Sequence, residues 1–299
     1  MIKNKNNIKI WCVDCSIRDF LTKTLYNKNI DTLFEYIKNT FKIKLIRIEK
    51  FFLTHSHYDH FNGFIYLLKN YAATKAEFWF NPYYSFASIE YNKLLKVLNE
   101  KTKQHEIKII NSYPYNNTAN VTILNKNALI LKNKPKKNQK SIEYPINNGY
   151  LALGEEKWII EKKINDSSIV YRFAFGEKSI LFPGDIEKSG WKNINNCHPY
   201  LNHSTYYCLS HHGSMNGHLR NKCPVNLNIT NVTTCAQNAQ ILFIQGRDGA
   251  FKGIIDQKVL DDFGYPVRLI HRTDKNPHEE DKEVIFFEIN WQTNKVTYH

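Results

Sequence analysis

Short runs of β-branched and aromatic residues alternate along the whole chain with stretches in which apolar positions recur at helical spacing. IKIWCV (8–13), KFFLT (50–54), EFWF (77–80), VTIL (121–124), ALILK (128–132), SIVYRFAF (168–175), SILFP (179–183), ILFIQ (241–245), VRLIH (267–271) and EVIFFEI (283–289) predict strands. Helices are predicted over 32–41, 64–71 and 86–103, where Phe86, Ile89, Leu94, Val97 and Leu98 fall near one face. Strands and helices mix through both halves, which predicts a layered α/β arrangement over an all-α or all-β one. The stretch 133–148, with Lys134, Lys136, Lys137 and Lys140 around Pro135, reads as an exposed basic loop or flap. No repeat or long linker divides the chain, so a single domain over 1–299 is expected.

Composition narrows this picture. With 42% hydrophobic and 14% aromatic residues the chain can bury a sizeable core, which excludes a disordered protein. A formal charge of +13 attracts phosphate-rich partners, although a sequence crowded with Asn, Lys and Ile also acquires such a surplus without any partner. The polar start lacks the apolar region of a secretory signal, and no run approaches a membrane span, so a cytoplasmic enzyme without membrane attachment is expected. The six cysteines are scattered and read as free thiols. Cys12 and Cys15 form a C-x-x-C on a strand, where an offset of three sends side chains to opposite faces, so packing is the expected role.

The chemistry concentrates in Thr54-His55-Ser56-His57-Tyr58-Asp59-His60-Phe61-Asn62-Gly63, directly after an apolar run. Three imidazoles and a carboxylate within six residues suit zinc, and a loop at a strand end can splay them toward one point, whereas a helix spreads them around its circumference. Further along, Leu181-Phe182-Pro183-Gly184-Asp185 and Ser210-His211-His212-Gly213-Ser214 each follow a predicted strand. On an extended chain His211 and His212 point opposite ways, so one is expected to ligate, with His211 favoured, while the other faces or underlies the substrate.

This set of motifs resembles the metallo-β-lactamase superfamily. The resemblance implies a four-layer αββα sandwich with one or two ions, zinc or else manganese, that activate water for hydrolysis. It implies His55 and His57 on the first ion, Asp59 and His60 on the second, Asp185 bridging, and His211 completing the set. Val13-Asp14-Cys15-Ser16 is similar to the family's first motif, whose Asp supports the site by hydrogen bonding. The resemblance makes Asp59, His212 and Ser214 the catalytic candidates. The H-H-G-S form, together with Asn165-Asp166-Ser167-Ser168, Ile244-Gln245-Gly246-Arg247 and His271-Arg272-Thr273-Asp274, resembles the metallo-β-lactamase domain of the DNA-internalisation competence protein ComEC. One departure is that the His usual about twenty residues before the Gly-Asp is absent, with Asn165 and Asp166 in that neighbourhood as replacement ligands or supports.

These readings predict a metal-dependent phosphodiesterase or nuclease acting on nucleic acid or a nucleotide. Tyr83, Tyr84, Tyr91, Tyr206 and Tyr207, beside basic residues, are candidates to stack on bases. The alternatives are a hydrolase of a small ester, lactone or thioester, and a non-catalytic module with a structural metal. Among the other histidines, His105, His198, His203 and His271 read as surface or structural residues, and His218 as the one nearest to substrate.

Overall fold

The apolar run at 8–13 becomes the second of five strands in a sheet whose order follows the chain. The structure is a computed structural model that describes residues 2–4, 7–16, 23–80, 88–111, 121–123, 141–143, 151–153, 164–165, 168–188, 190–191, 204–218, 241–245, 254–263, 270–272 and 286–299. The chain divides into two compact units, Met1–Ser112 with Leu129–Ile164, and Tyr113–Ala128 with Asn165–His299.

In the first unit, strands β1 (Ile2–Asn4) and β2 (Asn7–Val13) are antiparallel. Helix α1 (Lys23–Phe41) leads to β3 (Ile48–Phe52), the short α2 (Tyr58–Phe61) and α3 (Phe64–Asn70) lead to β4 (Ala72–Phe80), and α4 (Ile89–Lys103) leads to β5 (Ile107–Asn111). Strands β2, β3, β4 and β5 are parallel neighbours, so each helix is the crossover of a βαβ unit. One sheet face packs on the helices: Phe51, Phe64 and Phe78 meet edge-on or stacked and are fully buried. Each such ring contributes about 1.5–3 kcal/mol by leaving water.

Two helix starts differ from the expected ones. Helix α1 begins at Lys23 and not at Thr32, because the Thr32 hydroxyl donates to the Lys28 carbonyl and so satisfies itself inside a helix. Helix α4 starts at Ile89 with Ser88 as its cap, the Ser88 Oγ accepting from the Tyr91 N–H at 3.0 Å. Ile89 is therefore 72% exposed on the first turn, and Tyr91, Leu94, Leu95, Val97 and Leu98 form the buried stripe. Phe86 lies outside the described residues, as do the run 128–132 and, apart from the hairpin β7 (Ser141–Glu143) and β8 (Leu151–Leu153), the basic segment 133–148.

The second unit carries a six-stranded sheet of β6 (Val121–Ile123), β9 (Tyr171–Phe175), β10 (Lys178–Phe182), β11 (Tyr206–Cys208), β12 (Ile241–Ile244) and β13 (Ile270–Arg272), with β6, β9 and β10 antiparallel and β10 to β13 parallel. Helix α5 (Gln257–Phe263) precedes β13. A C-terminal hairpin, β14 (Phe287–Ile289) and β15 (Val296–Tyr298), supplies Phe287, Ile289, Trp291 and Val296 to one face of that sheet. It is held there by Lys178, whose ammonium donates to Asn294 Oδ1 at 2.8 Å, and by the Tyr206 hydroxyl, which donates to the same oxygen at 2.6 Å. The protein thus has mixed α/β content built on two sheets that each contain four parallel strands in a row. Among the described residues no helix is long and apolar enough to cross a membrane.

Candidate metal centre

Parallel strands collect their following loops at one edge, and in each unit that edge carries the His and Asp residues. In the first unit, Asp14 follows β2 and Thr54 to His60 follow β3. Asp14 adopts a left-handed conformation (φ 47°), which an aspartate tolerates better than most residues, and its N–H donates to the Phe52 carbonyl. Its carboxylate accepts three hydrogen bonds: from the Thr54 N–H at 2.8 Å, the Thr54 hydroxyl at 2.7 Å, and His60 Nδ1 at 2.8 Å.

This network assigns the histidine tautomers. A carboxylate only accepts, so His60 carries its proton on Nδ1. The Thr54 hydroxyl spends its proton on Asp14, so at 3.2 Å it accepts from His55 Nδ1. Both rings therefore direct the lone pair of Nε2 away from Asp14. His55 Nε2 lies 3.0 Å from His57 Nδ1, close to the spacing of adjacent ligands on an ion with Zn–N bonds of about 2.0–2.1 Å. Asp59 is 39% exposed at its side chain, with Oδ1 4.0 Å from His60 Nε2.

The Asp14 loop is fastened to the His motif by backbone bonds, from the Cys15 N–H to the His60 carbonyl (2.7 Å) and from the Gly63 N–H to the Cys15 carbonyl (2.9 Å). A Cβ on Gly63 would stand 2.4 Å from Cys15 Sγ, so the close approach of the two segments requires glycine there. Gly63→Ala is expected to destabilise the protein by about 1–3 kcal/mol through this overlap, read as a lower denaturant midpoint. Because Asp14 turns the chain left-handed, Cys15 returns to the side of Cys12 and the two thiols hydrogen-bond. The expectation of opposite faces fails at that residue, where the strand has ended.

In the second unit, Asp185 follows β10, His211 and His212 follow β11, and Gln245 follows β12. The Asp185 N–H donates to Ser168 Oγ, and the His211 N–H to the Gly184 carbonyl, which joins the two motifs. His211, His212 and Gly213 are all left-handed, with φ of 50°, 53° and 75°. The segment is therefore a tight left-handed turn and not an extended chain, and both imidazoles face one carboxylate: His211 Nε2 is 3.9 Å and His212 Nε2 3.6 Å from Asp185 Oδ2. The rings differ in their other nitrogen. His212 Nδ1 donates to the Gln245 carbonyl at 2.6 Å, which directs the lone pair of Nε2 toward the Asp185 side, as a ligand requires. His211 Nδ1 stands 3.6 Å from Glu187 Oε1, beyond hydrogen-bond range.

Asn165 donates to Glu187 at 3.0 Å, and its Oδ1 is buried with no hydrogen-bond partner among the described residues; the Ser214 hydroxyl is buried in the same condition. Asp166, Ser167, Tyr83, Tyr84, His198, His203, Gly246, Arg247, Thr273 and Asp274 lie outside the described residues. Tyr91, Tyr206 and Tyr207 are at most 1% exposed, so they pack in the interior and offer no face to a base. His218 is 1% exposed and bonded to Asp262 at 3.0 Å, which makes it a buried structural residue and not a substrate contact. His271 is buried and bonded to the Tyr298 hydroxyl, whose pKa burial pushes up to about 12. His105 is exposed on the turn after α4. Glu187 was not singled out from the sequence, although its place two residues after Asp185 was the available signal.

A family model of the metallo-beta-lactamase superfamily matches residues 30–192. That span is more than half of the chain, and the protein belongs to this superfamily. The match takes in the H-x-H-x-D-H motif and Asp185 and ends before His211 and His212. No curated protein matches the sequence. Membership agrees with the described residues, whose His and Asp side chains form groups that could hold a metal ion.

Proposed function

We propose that the protein is a metal-dependent phosphodiesterase of the αββα type, with nucleic acid or a nucleotide as substrate. In this reading His55, His57, Asp59 and His60 of the first unit, and Asp185 and His212 of the second, are metal ligands, for one or two zinc or manganese ions. The observation that carries it is the tautomer set: His55, His60 and His212 each hold Nδ1–H against an oxygen acceptor, which prepares Nε2 as a ligand in all three. The donor set of imidazoles and carboxylates fits zinc.

A divalent ion there supplies Lewis acidity, lowering the pKa of water toward about 7 and steadying charge on the attacked centre. The protein's own groups do the rest. Asp14 and Thr54 hold two imidazoles in one orientation. Asp59, partly open to solvent, takes the proton of the attacking water. His211, between Asp185 and Glu187, faces the leaving group. The choice of a phosphodiester rests on the resemblance of the S-H-H-G-S motif to the competence-protein domain and on the +13 charge.

Zinc- or manganese-loaded protein is expected to cleave at least one of labelled single-stranded DNA, double-stranded DNA, RNA or a cyclic dinucleotide, with rates that fall as salt rises. His57→Ala is expected to lose more than the about 10–100-fold that removal of a supporting hydrogen bond costs. Turnover of lactones or thioesters without any phosphodiester cleavage would overturn the substrate class and leave the metal centre standing.

A further inference from the structure

Asp14 sits inside a C-x-x-C. The Cys12 thiol donates to the Asp14 carbonyl at 3.5 Å and is in hydrogen-bond contact with the Cys15 thiol, and both cysteines are half-buried at the end of β2. The pair is therefore brought together across the residue whose carboxylate holds Thr54 and His60. The hydrogen bond to Cys15 and then burial push the Cys12 thiol up.

We propose that Cys12 and Cys15 form a reversible oxidation site, at which a low-molecular-weight disulfide joins the two sulfurs and withdraws the Asp14 carboxylate from Thr54 and His60. The thiolate of one cysteine attacks the small disulfide, breaking its S–S bond, forming a mixed disulfide and releasing one small thiol. The other cysteine then gives up its proton and attacks the protein sulfur of that mixed disulfide, forming the internal bond and releasing the second small thiol. Two protein thiols are oxidised and one disulfide is reduced, so atoms and electrons balance. The internal bond needs sulfurs about 2.05 Å apart and a Cβ–S–S–Cβ dihedral near about 90°, tighter than hydrogen-bonded thiols adopt. The ring that closes contains the left-handed Asp14, so its backbone must move, and the three bonds its carboxylate accepts move with it.

The effect on metal binding rests on the reading of the metal centre above; bond formation and release of Asp14 do not. The test treats the full, metal-free chain with oxidised glutathione, maps disulfides by peptide mass spectrometry, and follows exchange of the Thr54 amide, whose N–H donates to Asp14. The expected result is a Cys12–Cys15 bond, Thr54 exchange faster by about tenfold, and recovery of both with dithiothreitol. Cys12→Ser and Cys15→Ser should each stop at a mixed disulfide on the remaining cysteine. Absence of the internal bond in wild type, or its formation with unchanged Thr54 exchange, would overturn the proposal. Zinc titration of both forms separates the two readings: failure of the reduced protein to bind zinc refutes the metal centre, and leaves the thiol results to stand by themselves.

Discussion

On the proposed function, Asp14→Ala is expected to lower zinc affinity by about 10–100-fold, and phosphodiester cleavage at limiting zinc to fall with it. The carboxylate is the common acceptor for Thr54 and His60 and, through the Thr54 hydroxyl, for His55. Its removal frees two imidazoles to rotate or to move their protons to Nε2, the nitrogen a metal would need. Asp14→Asn is the sharper variant. Its side-chain oxygen can still accept from the Thr54 N–H, but its amide group confronts His60 Nδ1 with a donor, which forces the wrong tautomer. Competition of each variant against a chromophoric chelator gives the affinities; wild-type affinity in both would refute the supporting role of Asp14.

Trp191→Ala is expected to cost about 3–5 kcal/mol of stability. Trp191 is fully buried, packs against Tyr207 with ring centroids 6.3 Å apart, and donates its indole N–H to the Gly217 carbonyl at 3.0 Å. That carbonyl belongs to the turn Met215–Gly217, which lies so close behind His211 that a Cβ on Gly217 would stand 2.9 Å from the His211 Cβ. Truncation leaves a ring-sized cavity and a buried carbonyl without its donor. Trp191→Phe keeps most of the volume and loses the hydrogen bond, so about 1 kcal/mol is expected of it. Urea denaturation followed by circular dichroism measures both, and equal losses in the two variants would contradict the assignment of most of the energy to packing.

Much of this was legible in the residues. The runs at 8–13, 50–54 and 77–80 read as strands because parallel strands covered on both faces are nearly continuous in apolar residues. The His-rich motif was legible because so many ligand types fall within a few positions behind one such run. What escaped the sequence was backbone handedness and side-chain satisfaction. Nothing in the spelling of His211-His212-Gly213 announces three left-handed residues in a row, yet that turn brings both rings to Asp185. Nor does Asp14 announce the reversal that pairs Cys12 with Cys15. The helix predicted from Thr32 starts earlier, and the Thr32 hydroxyl bonds backward to Lys28 inside it. Strand β5 was missed because its Ile-Lys-Ile-Ile run directly follows α4 and merges with the helical spacing. Tyr91, Tyr206 and Tyr207, expected to stack on bases, look like surface aromatics in the sequence, and only burial distinguishes them.

Zinc titration of the metal-free wild type beside His57→Ala and Asp185→Ala tests most directly whether the proposed ligands bind metal. The predicted result is tight binding of one or two ions by wild type and weaker binding in both variants. Absence of zinc and manganese binding by wild type, or wild-type affinity in both variants, would contradict the account.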